Sequence, residues 1–477
     1  MSACLYFRFY DKIFTLIMIG SLFWVKNFFA ILPPPYYLNY IFLKGFPMKR
    51  KLLTFMLCII CLLSACGKNL SDNADTTATD AFQTIGDTTG SGTDGNANSP
   101  ANTSANSSGE LTMEETMIAN SLLAAGNNYR LKDVIKRARA GEDVTLGFIG
   151  GSITEGYNAG TDKIYAKLVY DFFCENYGTG DNVHYVNAGL SGTPSSLGLL
   201  RSDRDLFAYE PDLIFIEFAV NDGSSTIDNT GYESLVYKAL SQENAPAVIL
   251  LMSVIESGYT CQDSMNLVGF QYDLTRISVK NAIWDYIESG DISWDDWSND
   301  ESHPNEWGHA MYASFIIDYL KAVDAAEADS EYVLEPHFIK GFDHTSLMMI
   351  DRSLNTDAIA IDSLGSFTAT GDLPSFNNGW KYTGEDTSNT AFTFTYSGEA
   401  LYLVYKDTAN AAYGTAEVYI DGEYVTSLYA NSSDGWNNPV IECIVREKES
   451  TTHTVEVRMN EESMEKCFSI LAVGVVK

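Results

Sequence analysis

A serine set behind a pair of glycines is where chemistry can begin in this sequence. Gly150-Gly151-Ser152-Ile153-Thr154 closes the apolar run that starts at Val144 and precedes a helical pattern from Lys163 to Tyr177. Glycines let the backbone turn sharply and leave the Ser152 hydroxyl accessible. Taken alone, the motif reads more readily as a helix N-cap after a turn. A serine hydroxyl becomes a nucleophile only when a neighbouring base takes its proton, so a base has to be found elsewhere. Asp300-Glu301-Ser302-His303-Pro304 offers one, just ahead of a helical pattern from Trp307 to Ala325. Of the six histidines, His303 is the one both beside a carboxylate and before a helix. In helix-like geometry residues three apart share a face. Asp300 can then orient the imidazole while the second ring nitrogen faces the serine; the same segment also reads as a solvated acidic loop. His184, His309, His337, His344 and His453 have no such setting and read as structural or surface residues.

Acyl chemistry further needs donors for a developing oxyanion. Asn187-Ala188-Gly189-Leu190-Ser191-Gly192 and Asn221-Asp222-Gly223 follow the next two apolar runs, and their small residues and side-chain amides can donate. Asn, Asp and Gly are also the usual turn residues, and Asp222 reads as a turn or cap.

Taken together, the segments carry more than each alone. Gly151-Ser152-Ile153-Thr154, Asn187 to Gly192, Ala219-Val220-Asn221-Asp222 and Asp300 to His303 resemble, in order, the four blocks of the SGNH/GDSL hydrolase family, over residues from about 125 to 325. That resemblance implies Ser152 as nucleophile, His303 as base and Asp300 as its orienting partner. It implies an oxyanion hole from the N–H groups of Ser152 and Gly192 and the amide of Asn221. It brings no cofactor and no metal. Two positions depart from the family's pattern: Gly151 stands where an Asp is usual, and Ala219 where a Gly is usual. Neither removes a catalytic group, and both can reshape the pocket. The Gly-Gly-Ser-Ile-Thr form resembles a branch containing carbohydrate O-acetylesterases.

The elements that must position these residues alternate. Helical periodicity runs from Met113 to Ala140 and ends at Gly141. Strand-like runs at Val144–Ile149, Val183–Ala188, Leu213–Ala219 and Ala247–Val254 alternate with helical patterns at Lys163–Tyr177, Ser195–Tyr209, Gly231–Gln242 and Phe270–Ser289. Strands apolar throughout and separated by helices predict a parallel sheet covered on both faces, with functional groups at the carboxyl ends of its strands. The fold expected for residues 111–333 is α/β, and the resemblance makes it a flavodoxin-like three-layer SGNH hydrolase. Over residues 334–477 the pattern becomes short and alternating, at Phe392–Tyr396, Ala400–Tyr405, Ala416–Ile420, Val440–Val445 and His453–Met459, with Asp421-Gly422 as a hairpin signal. An all-β jelly-roll sandwich is expected there. It resembles the carbohydrate-binding-module-like domains attached to bacterial acetylxylan and acetylmannan esterases.

The N-terminal residues 1–66 read as an address. Lys49-Arg50-Lys51, the apolar run Leu52–Leu63 and Leu63-Ser64-Ala65-Cys66 follow the order of a signal peptide. The ending resembles a bacterial lipobox, which implies lipidation at Cys66 and a surface anchored to the outer face of a membrane. Residues 1–47 read as an over-extended start, or as an extra apolar span at Ile13–Trp24. Residues 67–110 are rich in Ser, Thr, Asn, Asp and Gly and read as a disordered tether.

The chain carries 30 basic and 63 acidic residues, a formal charge of −33. Phosphate binding needs clustered Lys and Arg, so nucleic acid is excluded as a partner and a polyanionic substrate is disfavoured. Cys174, Cys261, Cys443 and Cys467 match no metal or redox spacing; they read as buried thiols, with a Cys443–Cys467 pair as the alternative. Trp436, in a polar Gly-rich loop, can stack on a sugar or serve as a core residue. Trp294, Trp297 and Trp307 flank the Asp300–His303 loop and can line a cleft, with packing the commoner role. The expected activity is removal of acetyl groups from a polysaccharide or oligosaccharide through an acyl-enzyme. A lipase-like or lysophospholipase member, or a surface glycan-binding lipoprotein with an inert hydrolase domain, are the alternatives.

Overall fold

The computed structural model describes residues 111–477, apart from positions 340, 341, 354 and 355. Residues 1–110, on which the expected signal segment, the expected lipidation at Cys66 and the expected tether fall, lie outside the described residues. In the first half, β1 (Leu122–Ala124), β2 (Val144–Gly150), β3 (Val183–Gly189), β4 (Leu213–Glu217), β5 (Ala247–Met252) and β6 (Thr275–Ser278) form one sheet in the order β1-β6-β5-β4-β2-β3. Strands β2 to β6 run parallel, and β1 closes one edge antiparallel to β6. Successive strand side chains point to opposite faces. Leu146, Phe148, Leu213, Phe215, Ile249 and Leu251 therefore enter one apolar layer. Ile149, Ile214, Ile216, Val248, Leu250 and Met252 enter the other. Helices cover both layers, so the sheet is dry on both faces.

Two expected helices are broken. The pattern from Met113 to Ala140 is two helices, Met113–Ser121 and Tyr129–Arg139, separated by β1. Gly126 reverses the chain at φ 60°, where an added Cβ would lie 2.3 Å from the backbone carbon of Leu274. The pattern from Phe270 to Ser289 is likewise the end of a helix at Gln271, strand β6, and a second helix Val279–Ser289 capped by Ser278. Strands of three and four residues are too short to impose a period of two, so their flanking helices dominate the sequence signal.

The second half contains β7 (Met348–Ile350), β8 (Ile359–Ser363), β9 (Phe367–Thr370), β10 (Gly379–Tyr382), β11 (Phe392–Thr408), β12 (Thr415–Ile420), β13 (Glu423–Tyr429), β14 (Trp436–Met459) and β15 (Phe468–Val476). It is an all-antiparallel β-sandwich. Phe392–Tyr396 and Ala400–Tyr405, expected as separate strands, are one bent strand, β11. Its first stretch pairs β8 and its second pairs β15, with β14 along its other side. Val440–Val445 and His453–Met459 likewise belong to β14. The hairpin at Asp421-Gly422 has φ of 52° and 84°, the positive pair that a type I′ turn requires.

The two halves share a core. Leu197 and Leu200 of the α/β half belong to the same buried cluster as Leu347, Met349, Tyr402 and Leu471 of the β-domain. Glu233, fully buried, takes the N–H groups of Phe338 and Ile339 at 2.5 and 2.9 Å and the Tyr272 hydroxyl at 2.5 Å, which fixes the connecting segment. His344 adds a second tie: its N–H donates to Ser234 Oγ at 3.0 Å, and its Nδ1 lies 2.7 Å from the Tyr402 hydroxyl. Burial lowers its pKa to about 4. Cys174, Cys261, Cys443 and Cys467 are free thiols.

Candidate active site

The carboxyl ends of β2, β3 and β4 meet on one side of the sheet, and the chemistry-bearing segments leave from them. After β2 the chain turns at Gly151 into a one-turn helix, Ser152–Glu155. The turn is pinned from behind by Gly151 N–H donating to Glu217 O at 3.3 Å and Leu190 N–H to Gly150 O at 3.0 Å. An added Cβ at Gly151 would lie 2.1 Å from Asn221 Oδ1. No larger residue fits where the family usually has an Asp unless the Asn221 amide moves.

His303 Nε2 lies 2.9 Å from Ser152 Oγ, and its Nδ1 lies 2.8 Å from Asp300 Oδ2. Hydroxyl, imidazole and carboxylate thus form one continuous chain. Helix-like geometry is not how Asp300 and His303 meet. Residues 298–304 form a tight loop closed by a β-bridge between Ser298 and Pro304, and proline disfavours helical backbone at the residue before it. Asp300 Oδ1 instead accepts the N–H groups of Ser302 and His303, both at 2.8 Å. Trp294 Nε1 donates to Asp300 O at 2.7 Å and fixes the loop's base. Burial works to raise the Asp300 pKa, but the two backbone N–H groups and the imidazole outweigh it and hold the carboxyl below its ordinary value. An ionised Asp300 favours the Nδ1–H tautomer and leaves Nε2 free to take a proton.

Gly192 adopts φ 65°, and the N–H groups of Ser152 and Gly192 and the Asn221 side-chain amide donate to no acceptor among the described residues. Trp436, the first residue of β14, is 53% exposed and is not a core residue. Its Cζ2 lies 2.7 Å from where a Cβ at Gly192 would be, so the β-domain sets an aromatic ring against a prospective oxyanion donor. Trp297 is a correction. It is fully buried between Trp307 and Tyr312, at ring-centroid distances of 5.8 and 5.6 Å, and cannot line a sugar cleft.

Sequence reasoning missed several residues. Tyr157 is exposed, and its ring centroid lies 4.5 Å from that of His303. Asn158, at φ 65°, donates to Asp300 Oδ2 at 3.2 Å. Glu217 is fully buried beneath the Gly151–Ser152 turn and accepts the Ser253 and Thr154 hydroxyls at 2.7 and 3.0 Å; burial raises its pKa. A lone carboxylate ending the apolar run Leu213–Ile216 was the available signal, since a buried charge needs partners. His309, buried behind the site, accepts the Tyr165 N–H on Nδ1 at 3.2 Å, and burial lowers its pKa to about 4.

Asp222 is a cap, though not of its own segment. Its Oδ1 accepts the N–H of Ser195, at the start of the helix Ser195–Asp205, at 2.7 Å. Burial pushes its carboxyl from 3.8 up to about 7, with the Ser195 contacts opposing. A folded pKa above the unfolded one contributes stability below the unfolded value and loses it as pH rises through the folded one. Asp222→Asn, which keeps the acceptor oxygen, is expected to flatten the fall in unfolding free energy between about pH 4 and about pH 7. Urea titrations across that range check it; an unchanged slope contradicts it.

Residues 148–311 match the sequence model of the GDSL-like Lipase/Acylhydrolase family. The matched residues are similar to a GDSL-type acylhydrolase domain. The α/β half and the β-sandwich together resemble a two-domain esterase active on acetylated mannans, with 28% identity and a TM-score of 0.68 over 75% of this chain and 98% of that one. The same type of esterase co-crystallised with mannopentaose aligns with 28% identity and a TM-score of 0.67, over 75% and 97%. An arylesterase of Vibrio mimicus is 33% identical over 75 residues, 16% of this chain; the match spans 36% of that relative's length.

Proposed function

We propose that this protein is a carbohydrate O-acetylesterase whose nucleophile is Ser152, with an acetylated mannan as the first substrate to test. The observation that carries the reading is the Ser152–His303–Asp300 chain of contacts at 2.9 and 2.8 Å, with an exposed tryptophan from the second domain set against Gly192. Ser152 Oγ attacks the acetyl carbonyl while its proton passes to His303 Nε2. The carbonyl oxygen, now an anion, takes hydrogen bonds from the Ser152 and Gly192 N–H groups and the Asn221 amide. The tetrahedral species collapses, and the sugar oxygen leaves with the proton from His303. Water then repeats the sequence on the acetyl-enzyme and releases acetate. Asp300 holds the ring's orientation and stabilises the imidazolium. The substrate class rests on the two-domain relatives and on Trp436, whose flat ring suits the apolar face of a sugar. Lipidation at Cys66, which would tether the enzyme outside a membrane, belongs to the same proposal.

Acetate release from acetylated mannan, xylan and pectin tests the reading, beside a series of aryl esters of increasing acyl length. Rates that rise with chain length would mark a lipase-like enzyme, and no release from any ester would mark an inert domain. Trp436→Ala is expected to raise KM on the polysaccharide several-fold, a loss of about 1 kcal/mol or more, and to leave aryl acetate turnover nearly unchanged. Equal effects on both substrates would remove Trp436 from the sugar site.

A further inference from the structure

Each of the three prospective oxyanion donors lies on a different segment, and Gly192 is the one whose backbone is hardest to hold. It occupies left-handed space at φ 65° within a loop, Leu190 to Pro194, that has no regular structure of its own. Two carboxylates grip that loop, one at each end. Glu155 Oε2 accepts the N–H of Ser191 at 2.8 Å and also the Ser191 hydroxyl. Asp222 Oδ1 accepts the N–H of Ser195 at 2.7 Å. Glu155 ends the single helical turn that begins with Ser152, and Asp222 directly follows Asn221. Each carboxylate therefore ties the Gly192 loop to a segment that carries another donor.

We propose that Glu155 and Asp222 are positioning residues, a two-point carboxylate clamp that sets the Gly192 N–H in register with the Ser152 N–H and the Asn221 amide. The inference rests on the acyl-transfer reading of the site. In each case one carboxylate oxygen accepts a backbone N–H, of Ser191 within the loop or of Ser195 directly after it. Either protonation state of Asp222 leaves an acceptor oxygen for Ser195, as would an asparagine. Displacing a catalytic donor by as little as about 1 Å can cost on the order of a hundredfold in rate. Loss of one tie is expected to cost less than loss of the donor itself, because the loop keeps its second anchor.

The experiment compares Glu155→Gln, Glu155→Ala, Asp222→Asn and Asp222→Ala, and the Glu155→Ala/Asp222→Ala double variant, in the full chain. The readouts are aryl acetate kinetics, thermal midpoint, and labelling of Ser152 by an alkyl phosphonate, whose P–O⁻ oxygen occupies the oxyanion position. Each alanine variant is expected to lower kcat about ten- to a hundredfold with KM within about threefold. The amide variants should recover most of that loss, and the double variant should fall toward the effect of removing one donor outright. Phosphonate labelling should slow in parallel with kcat. Alanine variants that lower only the thermal midpoint, with kcat and labelling unchanged, would overturn the clamp. So would amide variants no better than alanine. If the wild type neither hydrolyses aryl acetates nor takes the phosphonate, the esterase reading has failed instead, an outcome separate from any variant.

Discussion

Ser152→Ala is expected to reduce kcat on an aryl acetate by roughly a millionfold, leaving binding and the fold in place. In the proposed mechanism the proton leaves through the hydroxyl's contact with His303 Nε2 at 2.9 Å, and an alanine has nothing to transfer. Nucleophile and base act as one unit, so their losses do not add. His303→Ala should cost about as much as Ser152→Ala, and the double variant little more than either. Steady-state assays on the three proteins, with circular dichroism to show that each is folded, check this. Full activity in Ser152→Ala, or multiplicative losses in the double variant, would mean that this hydroxyl and this imidazole do not share a step.

The next largest effect belongs to the Asn221 amide. Asn221→Ala should lower kcat by roughly a hundred- to a thousandfold, about 2.7–4 kcal/mol of transition-state stabilisation, with KM little changed. The donor matters to the anion rather than to the neutral ester, so the loss falls on kcat. Gly151 offers an independent route to the same result. An alanine there would place its Cβ 2.1 Å from Asn221 Oδ1 and 3.0 Å from Nδ2, so the amide must swing away. Gly151→Ala should therefore resemble Asn221→Ala, and combining the two should add little, because both remove one interaction. A Gly151→Ala enzyme as fast as wild type would show that Asn221 can move without consequence, and would count against its role as a donor.

How much of this was legible in the sequence differs by element. The parallel strands were readable because Leu213–Ile216 and Ala247–Met252 are apolar throughout, which happens only when both faces of a sheet are covered. Strands β1 and β6 were not readable. With three and four residues, they are specified by pairing with each other across about 150 residues of sequence rather than by any local period. In the β-domain the bends that split β11 and β14 look like turns locally. The strands stay continuous only because different partners take up their backbone groups along the way.

The site divides in the same manner. Residue types and their order bring out the segments that carry Ser152, Asn187–Gly192, Asn221, Asp300 and His303, each after a strand or before a helix that delivers it to one end of the sheet, and the family resemblance assigns the individual residues. They do not suffice for residues whose work depends on a partner distant in sequence. Glu217 under the Gly151–Ser152 turn, Glu155 on the Ser191 loop, Tyr157 against His303 and Trp436 against Gly192 are such residues. Trp297 and Trp436 make the contrast plain. Both are tryptophans in polar surroundings, yet one is fully buried and the other half exposed at the site. Local sequence determines where the chain turns and which face of each strand is apolar, because those are properties of neighbouring residues. Which side chains come to share a site is decided by tertiary packing: the α/β half gathers Ser152, Asp300 and His303, and the β-domain, packed on it through a common core, adds Trp436, because these contacts join residues distant in sequence.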